Sequence, residues 1–134
     1  MRETDCICTT LRRSAHASTA FYDRALEPSG LRITTYRLLR QVAQPPGPNI
    51  SELAARLELE RSTLGRNLKV AERDGFVRLV GGDDERSRLV ELTPLGEKAL
   101  ETARPLWARA QRDVKRLLGK DLIQALDALK RLNG

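Results

Sequence analysis

Apolar side chains recur every three or four positions along most of the chain, which is the spacing of amphipathic helices. The pattern predicts a first helix within residues 5–26, a second at about 34–43, two short ones within 50–74, and two more at 94–118 and 122–132. Residues 76–80 and 88–92 are rich in Val and Leu and flank a charged turn with two glycines, which predicts a β-hairpin. The sequence is therefore expected to fold as a mainly α protein with a small β element.

The most informative stretch is residues 50–68, which predicts two short helices joined by a tight turn. Each helix has one apolar face, and these faces are formed by Leu53, Ala54, Leu57, Leu64, Leu68 and Ala71. Leu59 lies in the connection, where a buried side chain would fix the angle between the helices. This is the pattern of a helix-turn-helix, whose second helix enters the major groove of DNA. The alternative is an ordinary helical hairpin with a solvated outer face.

The polar residues of the second helix are of the types that contact phosphates and base edges. Together with neighbouring positions they form the predicted DNA-contacting set, which is Ser51, Arg61, Ser62, Thr63, Arg66, Asn67, Lys69, Arg73, Arg86 and Arg88. A hairpin packed beside a helix-turn-helix is a wing, so residues 34–93 are predicted to form a winged helix-turn-helix with two or three strands. Ser51 is also predicted to cap its helix, after a short strand at Ile50.

The charge of the chain changes this picture only slightly. The net charge of +6 favours an anionic partner weakly, because residues 51–90 carry eight basic and eight acidic side chains. Within residues 61–82, five basic groups outnumber two acidic ones, so the local charge supports DNA binding better than the total does. A winged helix that contacts only other proteins is the alternative function.

Other function classes find little support in the sequence. The chain has one histidine and no glycine-rich phosphate loop, so it is not expected to be an enzyme or to bind a cofactor. No apolar run approaches the roughly 20 residues of a membrane span, and the N-terminus lacks the apolar stretch of a signal peptide. We therefore expect a cytoplasmic protein with no membrane partner.

The two ends of the chain are predicted to be helices with long apolar stripes. The stripe of the long helix continues from Leu95 to Leu117, over about 37 Å at 1.5 Å per residue. A domain of this size would not cover that length by itself, so residues 5–30 and 94–134 are predicted to pack against a second copy of the chain. An intramolecular helical bundle is the alternative. The whole chain, residues 1–134, is expected to form one domain.

In this order the elements resemble the multiple-antibiotic-resistance regulator (MarR) family of bacterial transcription factors, over residues 5–132. Five short motifs carry the resemblance: Ile-Ser-Glu-Leu-Ala at 50–54, Arg-Ser-Thr-Leu-Gly-Arg-Asn-Leu at 61–68, Glu-Arg-Asp-Gly-Phe-Val at 72–77, Asp-Glu-Arg-Ser-Arg at 84–88 and Leu-Thr-Pro-Leu-Gly at 92–96. The resemblance implies a homodimeric repressor that binds a pseudo-palindromic operator in double-stranded DNA. It also implies that Arg86 enters the minor groove and that Asp84 helps to hold this arginine.

Two cysteines, Cys6 and Cys8, lie at the start of the first predicted helix. A spacing of two residues on a helix points the side chains in different directions, so no disulfide between them is expected within one helix. A helix N-terminus lowers the pKa of a thiol, and Arg12, one turn after Cys8, would lower it further. The alternative is that both cysteines are small apolar residues packed in a dimer seam.

Cys8 is similar in position to the reactive cysteine of the family's organic-hydroperoxide-sensing subgroup, and Tyr22 matches one of the tyrosines that surround that thiol. The other two tyrosine positions are Arg12 and Ile33 here, which departs from the subgroup. The hypothesis is that thiol modification, or a small-molecule effector, acts at the dimer junction and releases DNA. Trp107 either lines a pocket for an aromatic effector or simply packs. A metal site is not expected, because the single histidine lies two helical turns from Cys8.

Overall fold

The computed structural model describes residues 2–84 and 87–134. Within them the chain forms six α-helices and one antiparallel pair of strands: α1 (Ile7–Leu26), α2 (Ile33–Val42), α3 (Ile50–Leu57), α4 (Arg61–Arg73), β1 (Val77–Val80), β2 (Leu89–Leu92), α5 (Pro94–Leu118) and α6 (Leu122–Leu129). Two 3₁₀ turns, Glu27–Ser29 and Lys130–Asn133, follow α1 and α6. The predicted fold class, a mainly α winged helix-turn-helix, is confirmed.

The start of the helix-turn-helix differs from the sequence prediction. Asn49, not Ser51, caps α3: its Oδ1 accepts from the Glu52 N–H at 2.8 Å, and its own N–H donates to Glu52 Oε1 at 3.2 Å. This reciprocal pair is a capping box, and it starts the helix at Ile50, which therefore forms no strand. The third strand of the wing is reduced to one isolated bridge between Asn49 and Leu89.

The end of α4 is joined closely to the start of α5. Gly75 follows α4 with a φ of +84°, a conformation that favours glycine. The Thr93 side chain accepts from the Gly96 N–H at 3.0 Å and caps α5. A Cβ on Gly96 would lie 2.0 Å from the carbonyl oxygen of Phe76, so only glycine allows the first turn of α5 to pack this closely on the chain entering β1.

The core lies where α2, the helix-turn-helix, the strands and the first half of α5 meet. Its residues are apolar and buried, and they include Leu26, Tyr36, Leu39, Leu53, Leu64, Ala71, Val77, Val90, Leu100 and Ala103. Alternate residues of β2 follow the expected pattern, since Val90 is buried and Glu91 is exposed. The wing and the helix-turn-helix therefore share one core, which fixes their relative position.

The outer helices leave much apolar surface uncovered by the chain itself. Ala99, Ala103 and Ala110 of α5 are buried, whereas Leu117 is 72% exposed. Pro105 lies within α5 without ending it. Proline has no N–H, so the carbonyl four residues before it lacks its helical donor, and water can bond this carbonyl because Pro105 lies on an exposed side of the helix. In the described part of the chain, no helix is both long and apolar enough to cross a membrane.

Candidate nucleic-acid interface

The second helix of the motif, α4, has a buried apolar side and an exposed side that is mostly polar apart from Val70. One side is buried through Leu64, Leu68 and Ala71. Of the seven predicted contact residues on α4, five are exposed, and these are Arg61, Ser62, Arg66, Lys69 and Arg73; Thr63 and Asn67 are half-buried. The helix thus offers a polar surface with four cationic side chains to whatever binds there.

The starts of the two helices of the motif are linked by a hydrogen bond. Nη2 of Arg61 donates to Oγ of Ser51 at 2.7 Å. Arg61 is the first residue of α4 and Ser51 the second of α3, so the bond joins the ends at which both helices carry free backbone N–H groups. A second, longer bond runs from Arg66 Nη2 to Thr63 Oγ1 at 3.4 Å. The guanidinium of Arg61 is therefore oriented at the helix surface before any ligand binds, and the longer contact holds Arg66 less firmly.

A groove of about 550 Å³, called here the α4 groove, lies between the start of α3, one flank of α4 and strand β1. Five of its lining residues belong to the predicted set: Ser51, Arg61, Ser62, Arg66 and Lys69. Five others were not predicted: Ile50, Gly65, Leu68, Glu72 and Leu79. Ile50, Leu68 and Leu79 come together only when α3, α4 and β1 pack, which no local pattern reveals. Gly65 could have been identified from the sequence, because a glycine inside a helical pattern is a recognisable signal.

The wing carries the remaining predicted residues. Arg88 is exposed just before β2, and Arg86 lies outside the described residues. The carboxylate of Asp84 accepts a hydrogen bond from the Ser87 N–H at 3.0 Å, and its predicted role in holding Arg86 involves a residue outside the described part of the chain. A Cβ on Gly82, whose φ is +76°, would lie 2.9 Å from the Arg88 nitrogen, so glycine permits the tight approach of the two chain segments.

Arg56 fixes the linker between α2 and α3, a role that sequence reasoning missed. Its guanidinium donates to three backbone carbonyls, those of Gln41 at 2.9 Å, Gln44 at 3.1 Å and Pro46 at 2.7 Å. These bonds tie α3 to the end of α2, so the helix-turn-helix keeps one orientation relative to α2. The contact joins residues up to 15 positions apart and has no signature in the periodicity.

The two cysteines lie at the start of α1, and both are free and exposed. Cys6 is the N-cap residue and Cys8 the second helical residue, and the Asp5 carboxylate just before them accepts from the Arg2 N–H at 2.9 Å. Hydrogen bonds from the Thr9 side chain and then the Thr9 backbone lower the pKa of the Cys6 thiol. The pKa of Cys6 is therefore lowered by groups in the first turn of α1. Arg12, which the sequence suggested would lower the pKa of Cys8, is not among the causes at Cys6.

Tyr22 does not approach Cys8 within one chain. The two lie fourteen residues apart on α1, about 21 Å along the helix axis. The Tyr22 hydroxyl donates to the side-chain oxygen of Gln111 on α5, and burial raises the pKa of this phenol. Any contact between Tyr22 and Cys8 would require a second copy of the chain.

Trp107 both packs and lines a cleft. Its ring stacks on Tyr36 with centroids 5.9 Å apart, and the guanidinium of Arg40 lies 4.5 Å from its centroid. A cleft of about 420 Å³ beside it is also bordered by Arg37 and Tyr22. The cleft combines an aromatic wall with two cations. In the described residues, no three His, Cys, Asp or Glu side chains are grouped as metal ligands.

Comparison with known proteins identifies the family. A family model described as MarR family matches residues 29–87. Among solved structures, the transcriptional regulator MosR of M. tuberculosis in complex with DNA is 40% identical, with 96% of each chain covered and a TM-score of 0.82. The chain belongs to the MarR family. The predicted family is thereby confirmed, and so is the expectation that the protein is a transcriptional regulator and not an enzyme.

Further structures agree with this assignment. A second crystal structure of M. tuberculosis MosR is 38% identical over 98% of each chain, with a TM-score of 0.79. The transcriptional repressor CouR bound to p-coumaroyl-CoA is 24% identical over 94% of this chain and 89% of its own, with a TM-score of 0.76, and so shares the fold. No curated protein sequence matched the chain.

Proposed function

We propose that this MarR-family protein is a cytoplasmic repressor that binds a pseudo-palindromic operator in double-stranded DNA as a homodimer. The observation that carries the proposal is the exposed basic side of α4 beside a groove, with Arg61 oriented by Ser51. In this proposal α4 enters the major groove, and Ser51 and Arg73 contact phosphates. Arg88 and Arg86 of the wing reach the neighbouring minor groove. The solved complex of the 40% identical MosR with DNA supports it.

The uncovered apolar surface at both ends of the chain supports the proposed dimer. Ile7 on α1, Leu117 on α5 and Leu132 after α6 are each more than 60% exposed, and Ile123 and Leu126 of α6 are about half exposed. An apolar surface of this extent marks an interaction site. In the proposal, residues 5–30 and 94–134 of two copies pack together and hold the two α4 helices at half-sites about 34–36 Å apart.

The signal that releases DNA is proposed to be oxidation of a thiol at this junction, with Cys8 as the sensing residue and Cys6 beside it. A thiolate attacks an oxygen of the hydroperoxide, the S–O bond forms as the O–O bond breaks, and protonation by water leaves a sulfenic acid and an alcohol. The exposure of both thiols supports this chemistry, and the lowered pKa of Cys6 supports a part for that thiol beside Cys8. Peroxide should lower the operator affinity of the wild type and not that of Cys8→Ser.

A small-molecule effector is the second candidate signal, supported by the cleft beside Trp107. Its aromatic wall and the guanidinium groups of Arg37 and Arg40 suit an aromatic carboxylate or a related anion. The distantly related repressor CouR was solved with p-coumaroyl-CoA bound. An aromatic carboxylate that releases the Cys6→Ser, Cys8→Ser double variant from DNA would favour this signal over oxidation.

The operator proposal is tested by selecting duplexes from a random-sequence library with the purified full chain. We expect enrichment of two half-sites related by a two-fold axis and centred one helical turn, or a multiple of it, apart. Enrichment of one unrepeated half-site would contradict the dimer, and absence of any enrichment would contradict sequence-specific binding. Loss of affinity under peroxide in Cys8→Ser, or a wild type that ignores peroxide, would contradict the thiol signal.

A further inference from the structure

Gly65 lies in the interior of α4, at a position where nothing in the fold requires glycine. It is the fifth residue of a thirteen-residue helix and has no positive φ. A Cβ built there would meet no atom within 4 Å. Gly96 of α5 is the opposite case, since its Cβ would clash with Phe76. Glycine is less favourable than alanine inside a helix because it has more backbone freedom to lose, so its presence in open space calls for a partner outside the chain.

The flank of α4 on which Gly65 lies borders the α4 groove. Residues four apart on a helix share a flank, so Arg61 and Lys69 stand one turn before and one turn after the glycine. All three line the groove, and Ser51 and Leu79 line it from α3 and β1. The groove therefore has a cationic rim, formed by Arg61, Arg66 and Lys69, and a stretch of bare helix backbone between Arg61 and Lys69.

The course of DNA through this surface follows from the proposed function, on which the inference rests. If α4 occupies the major groove and the wing the adjacent minor groove, one sugar-phosphate strand separates them. On the protein, the space between α4 and the hairpin is the α4 groove, which reaches Leu79 of β1. That strand must therefore pass along the groove, beside Gly65.

We infer that Gly65 is a close-approach position that determines how deeply α4 enters operator DNA. The missing side chain lets one sugar-phosphate strand lie against the backbone of α4, with Arg61 and Lys69 at its phosphates on either side. A methyl group at this position separates the two surfaces and weakens the base contacts of Ser62 and Arg66 at the same time. The residue acts by positioning, and it makes no polar contact of its own.

The test compares Gly65→Ala with wild type and with Gly47→Ala, a matched control whose Cβ also meets nothing within 4 Å but lies in the linker before α3. Affinity for the wild-type-selected operator is measured by fluorescence anisotropy and thermal stability by circular dichroism. We expect Gly65→Ala to bind the operator at least tenfold more weakly while melting at the same or a higher temperature. Gly47→Ala is expected to bind like the wild type.

Each other outcome overturns a defined part of the account. If the wild type binds its operator and Gly65→Ala binds equally well, the close-approach role is wrong and the DNA-binding function stands. A lower melting temperature in Gly65→Ala would show that the fold itself requires the glycine, which also overturns the inference. Failure of the wild type to bind any duplex would overturn the proposed function and the inference together.

Discussion

Arg61 and Ser51 hold each other at the entrance of the α4 groove, through a hydrogen bond of 2.7 Å between Nη2 and Oγ. Both side chains are reachable by solvent, so the bond orients the guanidinium more than it stabilises the fold. An arginine that is already oriented loses less conformational entropy when it meets DNA. The pair therefore connects the packing of the helix-turn-helix with its proposed affinity for DNA.

Removal of either partner should weaken DNA binding without unfolding the protein. Arg61→Ala is expected to cost about 1–3 kcal/mol of binding free energy, because a charged contact is lost. Ser51→Ala should cost about 1 kcal/mol, the scale of one hydrogen bond. Fluorescence anisotropy with the selected operator measures both. Arg32→Ala is the control, because this exposed arginine lies just before α2, outside the predicted contact set and the proposed dimer segments. Equal affinity of Arg61→Ala and this control would exclude Arg61 from the interface.

Gly96 should be intolerant of any side chain. The added Cβ of Gly96→Ala would lie 2.0 Å from the Phe76 carbonyl oxygen, so backbone must move at the junction of β1 and α5. We expect a loss of about 2–3 kcal/mol in the free energy of unfolding, or about 10 °C in melting temperature. Thermal and urea unfolding measure this. Domains of this size lose roughly 4 °C in melting temperature per kcal/mol of stability, so a melting temperature within about 2 °C of wild type would contradict the close packing.

The reactivity of Cys6 should depend on Thr9. Hydrogen bonds from Thr9 favour the thiolate and lower the pKa of Cys6, so its thiolate persists to lower pH than that of an ordinary cysteine. Thr9→Ala removes the side-chain bond, and the pKa should rise toward its usual range. The pH–rate profile of iodoacetamide alkylation at Cys6, followed by mass spectrometry, should shift to higher pH. An unchanged profile would assign the lowering to another cause.

The apolar surface of α6 should hold the proposed dimer together. Leu126 is about half exposed in the single chain, so Leu126→Lys places a charge there without opening the core. Light scattering after size exclusion should give about twice 15.0 kDa for the wild type and a value near 15.0 kDa for the variant. Asp83→Lys on the exposed hairpin turn is the control and should remain dimeric. A wild type of 15.0 kDa would contradict the dimer.

The order of elements could be predicted from the sequence because the buried faces of helices and strands give periodic patterns of apolar residues. Leu64, Leu68 and Ala71 identified the buried side of α4, and the glycines of the hairpin identified its turn. The cap of α3 was misassigned because Asn49 and Ser51 are both good capping residues, and only the reciprocal bond with Glu52 decides between them.

Contacts between distant segments could not be predicted from the sequence. The clamp of Arg56 on the linker and the α4 groove both arise when packed elements bring separate residues together. The bond between Arg61 and Ser51 is of the same kind, although both residues had been chosen individually for their chemistry. Residue types thus predicted much of the proposed interface, whereas its shape, and with it the meaning of Gly65, required the fold.

The most direct test of sequence-specific DNA binding is the salt dependence of operator affinity. The Kd of the wild type is measured between about 50 and 200 mM salt for the selected operator and for a shuffled duplex of the same composition. Each phosphate neutralised adds about −0.9 to the slope of log affinity against log salt, so several contacts per subunit predict a steep fall. We expect that fall, with the operator bound at least about 10³-fold more tightly than the shuffled duplex. Affinity that is nearly independent of salt, or equal for the two duplexes, would contradict the account.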